Sequence, residues 1–84
     1  MTAHALLKVL LDTPEPSAGH GAILLSGEDW DIPIHDKSHT YLAIVQWRRY
    51  RFGKGIDREA VAKRLVKKAI EFGIVSQGLQ IVKS

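Results

Sequence analysis

The densest chemistry in this sequence lies in one short stretch, where Trp47, Arg48, Arg49, Tyr50, Arg51, Phe52 and Lys54 interleave cations with aromatic rings. Guanidinium groups fork onto phosphate oxygens, and exposed aromatic rings stack on unpaired bases. Together they suit a single strand or an irregular RNA. If the stretch is a strand, alternation puts Trp47, Arg49 and Arg51 on one face and Arg48, Tyr50 and Phe52 on the other, so half the set points away from any one ligand. The competing reading has Trp47, Tyr50 and Phe52 packed inside while the arginines reach outward. A second cationic set, Lys63, Arg64, Lys67 and Lys68, falls on one side of a helical repeat. It suits sequence-independent, salt-sensitive phosphate contacts. Glu59 four residues before Lys63, and Lys67 four before Glu71, would neutralise part of it through ion pairs within the helix.

Other residue groups are weaker candidates. His35, Asp36 and His39 form a competent metal-binding set of two imidazoles and a carboxylate, which His20 would extend. They fall in an expected turn, without the rigid outer shell metal sites need, so no metal or other cofactor is expected. Ser38 beside His39 lacks triad geometry and any preorganised oxyanion site. Gly53-Lys54-Gly55 lacks the first glycine and the hydroxyl of a P-loop. No catalytic residue is expected. Glu28, Asp29, Asp31 and Asp36 make an acidic segment suited to a protein partner or a solvated edge.

The elements that must position these groups follow from periodicity. Polar residues every fourth position (His4, Lys8, Asp12) suit a short helix over 2–12 capped by Thr2, although strict alternation of Leu7, Val9 and Leu11 also permits an edge strand. Two prolines and two glycines make 13–21 an exposed loop. Residues 22–26 read as a buried strand, and 30–34 as an edge strand because Pro33 cannot donate to a ladder. Over 41–52 a helical wheel scatters Gln46 and the arginines around the whole circumference, and β-branched and aromatic residues are abundant. A long strand is therefore predicted, reached through a hairpin loop at 35–39. Asp57 caps the clearest helix, 58–72, whose apolar stripe is Ala62, Leu65, Val66, Ala69 and Ile70, and Gly73 stops it. Residues 74–84 read as a further strand with a turn or bulge at Gly78.

A strand, a Gly-x-Gly turn at Gly53 and Gly55 and a basic helix resemble the C-terminal part of a double-stranded-RNA-binding domain over 41–70. Asp57-Arg58-Glu59 stands where that family carries paired lysines, so the family is not assigned. A winged-helix arrangement, with 74–83 as the wing, would need 41–52 to be helical.

Eighty-four residues, 45% hydrophobic and 25% charged, describe one small globular domain over 1–84. The absence of cysteine removes disulfides, thiolate catalysis and Cys-type metal sites, and points to an intracellular, cytoplasmic setting. No apolar run is long enough to span a bilayer, so no membrane association is expected. Charge is segregated: residues 1–45 carry two lysines against six carboxylates, and residues 46–84 carry ten cations against three carboxylates. Such asymmetry suggests a polyanionic or acidic partner, unless the two halves face each other across the fold.

The expected fold is α+β, a small antiparallel sheet of three to five strands covered on one face by the basic helix. Its exposed edges are compatible with a homodimer. The expected role is that of a non-enzymatic binding protein for nucleic acid, RNA or DNA. The alternative is a small interaction factor, such as a phage-type inhibitor, regulator or adaptor, that docks on an acidic or nucleic-acid-binding protein.

Overall fold

The computed structural model describes residues 2–17, 19, 21–25 and 32–76. In chain order these form α1 (Ala3–Asp12), β1 (Ile23–Leu25), α2 (Lys37–Gln46), a 3-10 turn (Trp47–Arg49), β2 (Tyr50–Phe52) and α3 (Arg58–Glu71). Among the described residues the fold is α+β with three α-helices. The sheet differs from expectation, because β1 and β2 pair in parallel, with Ile23 opposite Tyr50 and Leu25 opposite Phe52. A parallel pair cannot be joined by a hairpin and needs a crossover, which the segment containing α2 supplies.

The long strand expected over 41–52 is therefore corrected. Asp36 begins a helix there: its side chain accepts the His39 amide at 2.7 Å, and Thr40, fully buried, donates its hydroxyl to the Asp36 carbonyl at 2.7 Å. The wheel fails because its window straddles two elements. The helix ends at Gln46, and the arginines lie beyond it on the 3-10 turn and β2, so they never had to share a helical face. The hairpin loop at 35–39 is replaced by this helix start. Ile32–Ile34 form no strand, and Trp30 lies outside the described residues. Of the expected C-terminal strand, Ser76 makes an isolated parallel bridge to Thr2, and 77–84 lie outside the described residues. The conditions of a winged helix are not met either, since β2 and its flanking turns separate α2 from α3 where that motif has a short turn.

Helices α1 and α3 form where periodicity places them. Thr2 accepts the Ala5 amide at 3.1 Å, and α1 buries Ala3, Leu6 and Leu10. Asp57 accepts the Glu59 amide at 3.0 Å, and α3 buries Val61, Ala62, Leu65, Val66 and Ala69. Gly73, at φ +74°, lets the chain turn back at the end of α3, so that Ile74 donates to the Ala69 carbonyl and Gly73 to that of Ile70. The main packing of α3 is against α1 and α2 rather than across a sheet face, and together these helices build the core.

The end of α1 is secured by a residue from the start of α3. Arg58 donates to the carbonyls of Leu10 at 3.0 Å, Leu11 at 3.4 Å and Thr13. A cation suits this position, because the last carbonyls of a helix are unpaired and carry partial negative charge. Its guanidinium carbon also sits 5.3 Å from the Trp47 ring centre and 5.9 Å from that of Phe52. Its buried Nε has no partner among the described residues.

Candidate docking groove and basic surfaces

The aromatic half of the expected nucleic-acid site is not available to a ligand. Trp47 and Tyr50 are 3% and 4% exposed, and the Trp47 indole donates to the Leu10 carbonyl at 2.8 Å. Tyr50 meets Trp47 edge-on, and Phe52 lies 5.2 Å from it between ring centres. These rings belong to the core, with Arg58 over two of them, so base stacking on Trp47 or Tyr50 is excluded. Burial pushes the Tyr50 phenol above its ordinary range, and nearby Arg49 partly opposes that shift.

The cations fall into separate groups. Exposed Arg48 and Arg49 line a cleft with Thr13, Pro14, Glu15 and Pro16. Arg49 is held there, its Nε donating to the Gly21 carbonyl at 3.1 Å. Gly21 has φ +73°, and a Cβ on it would come within 3.3 Å of the Arg49 guanidinium, so glycine serves both the turn and the contact. Glu15, in the same loop, accepts the Phe52 amide of β2 at 3.0 Å. Arg51 is half-buried on β2, and Lys54 is exposed in the following turn.

Lys63, Arg64, Lys67 and Lys68 line a second surface on α3. Lys63 pairs with Glu59 at 3.1 Å. Glu71 takes Lys68 at 3.5 Å rather than the expected Lys67. Among the described residues no carboxylate partners Arg48, Arg51, Lys54 or Lys67.

The site missed by the sequence reading is apolar. A groove of about 460 Å³ runs between α1 and α2, with Leu6 and Val9 on one wall, Tyr41, Ile44 and Val45 on the other, and Ile74 and Val75 closing it. Tyr41 is 59% exposed, Val45 54% and Val9 50%. Adjoining Leu42 is 47% exposed. Arg48 is the one charged residue lining the groove among those described, and no carboxylate lines it. A signal for this surface was present in the sequence: within 37–46 apolar residues occupy more than one helical face, which is unusual for a helix on the surface of a small protein.

His35, Asp36 and His39 are brought together at the start of α2. His39 Nδ1 lies 2.8 and 2.9 Å from the two Asp36 oxygens, and His35 Nε2 lies 3.4 Å from Asp36 Oδ2. The His39 amide first, and its ring second, hold the Asp36 carboxyl below its usual range. His20 lies outside the described residues, as do Glu28, Asp29 and Asp31 of the acidic segment. Among the described residues no helix is long and apolar enough to cross a membrane.

No family model, curated protein or solved structure matches this chain. Its own residues are the basis for assigning it a role.

Proposed function

We propose that this chain is a small non-enzymatic interaction factor whose working surface is the groove between α1 and α2. The observation that carries this reading is the contiguous exposure of Val9, Tyr41 and Val45 around an apolar cleft. Clustered exposure of large apolar side chains marks a binding surface, whereas scattered singles do not. The occupant that fits is an amphipathic segment of a partner protein, inserting apolar side chains and placing a carboxylate against Arg48. An aromatic rim residue such as Tyr41 and an arginine at the margin are the types most often found to anchor interfaces.

A naphthalene sulfonate dye, with apolar rings and one anionic group, has the same chemistry and serves as the probe. Its emission should rise and shift to the blue with the folded chain. The signal should be lost in Val45→Asp, fall in Arg48→Ala and stay unchanged in Lys67→Ala, with near-ultraviolet circular dichroism showing that each variant remains folded. Full emission from folded Val45→Asp would overturn the reading. A photocrosslinker at Val45, used in nuclease-treated lysate, should then trap a protein through an acidic, amphipathic segment, and one at Lys67 should not.

A second reading keeps nucleic acid as the ligand, supported by Arg48, Arg51, Lys54 and Lys67 having no carboxylate partner among the described residues. With Trp47 and Tyr50 buried, such binding would rest mainly on phosphate contacts and weaken steeply as salt rises. Cross-linking that disappears with nuclease treatment would favour it over the groove.

A further inference from the structure

We propose that His35, Asp36 and His39 form a site for a divalent transition metal, with zinc the ion that suits it best. One donor atom from each residue lies within 4.8 Å of the other two. Two imidazoles and a carboxylate are a donor set that zinc accepts, with bonds of about 2.0 to 2.2 Å. Tetrahedral ligands at that bond length stand about 3.4 Å apart. His35 Nε2 and Asp36 Oδ2 already stand 3.4 Å apart. The 2.9 Å between His39 Nδ1 and that same oxygen opens by about half an ångström, and the two imidazole donors, within 4.8 Å of each other, close to the same spacing, both through side-chain torsions.

Position within the fold supplies the rigidity a loop would lack. Asp36 Oδ1 accepts the His39 amide at 2.7 Å, which fixes the carboxylate and leaves Oδ2 to bind the ion. The Asp36 carbonyl receives the buried Thr40 hydroxyl at 2.7 Å, tying the ligand's own backbone to the core. His35 and His39 stand one helical turn apart in sequence, and their ring centres are 4.3 Å apart. Hydrogen bonding that orients a ligand strengthens metal binding, and here the cap of α2 performs that task. Three protein donors leave a fourth position for water or for a donor from outside the chain. Binding replaces the His39–Asp36 hydrogen bond with two bonds to the metal and releases any proton shared between them.

The test uses the untagged full chain, stripped with chelator and titrated with Zn²⁺ by calorimetry and with Co²⁺ by visible absorption. One metal should bind per chain, and cobalt should give the intense visible bands of a four-coordinate site. Asp36→Asn keeps an oxygen for the helix cap and loses the anionic ligand, so helical circular dichroism should persist while affinity falls at least about 10-fold, the minimum expected for loss of even an orienting partner. His35→Gln should behave likewise, and His4→Gln should change nothing. Absence of binding by the folded wild-type chain would overturn the site. So would affinity unchanged in Asp36→Asn or His35→Gln, because the metal would then be held by scattered histidines.

Discussion

At the residue scale, Tyr50 is 4% exposed and meets the Trp47 ring edge-on. The stretch 47–54 interleaves rings with cations, and only one of the two sets can fill the core. Packing resolves it: Trp47 fills the space beneath α1 and α3, its indole finds the Leu10 carbonyl, and Tyr50 seats against its edge. An aromatic ring that satisfies its polar atom inside a small core stays there, because few other side chains bury as much apolar surface. Burial of Tyr50 carries a pH consequence. Its folded phenol ionises above the ordinary value of 10.0, so its contribution to stability is complete below pH 10.0 and is lost as pH rises through the folded value. In a Tyr41→Phe variant, absorbance near 295 nm, the phenolate band, should therefore report Tyr50 ionising above pH 10, together with loss of near-ultraviolet dichroism. Ionisation at lower pH from a chain that stays folded would contradict its burial.

At the scale of elements, α3 was legible because it is a single amphipathic repeat bounded by Asp57 and Gly73, whereas 2–12 admitted a helix or an edge strand, and the fold takes the helix capped by Thr2. Helix α2 was not legible. Its cap, Asp36, lies among residues that read as a hairpin, and its last turn runs without a break into the arginines of the next two elements. The same error hid the groove, since a buried strand over 41–45 leaves no exposed Tyr41 or Val45. Nor could spacing reveal that Arg58 would join α3 to the end of α1, a contact spanning more than forty residues. Replacing Arg58 with alanine removes the charged donor from the carbonyls of Leu11 and Thr13 and uncovers the Trp47 ring, a loss of about 2 to 3 kcal/mol. Arg58→Lys should recover less than half, because an ammonium cannot lie flat on a ring while forking to several oxygens. Chemical denaturation of the three chains checks both values, and equal stability of wild type and Arg58→Ala would show that the clamp does not hold in solution.

For the whole molecule, the acidic and basic halves of the sequence meet at the cleft that Glu15 shares with Arg48 and Arg49. The lysine pairs on α3 are local, Lys63 with Glu59 and Lys68 with Glu71. Glu15 spends its carboxylate on a backbone amide of β2 instead of on an arginine. The pair of strands among the described residues is too small to stand alone. It depends on the helices, against which Ile23 and Phe52 pack, so the crossover through α2 and the three-helix core must form as one unit.

The joining of Thr2 to Ser76, with the Ala3 amide donating to the Ser76 carbonyl at 2.6 Å, has a consequence for synthesis. A chain emerging from the ribosome can coil its first helix early but cannot close this bridge until residue 76 has left the exit tunnel. Chains stalled behind a flexible C-terminal linker long enough to clear the tunnel should resist protease within α1, and chains stalled behind a linker too short to release residue 76 should be cut there more readily.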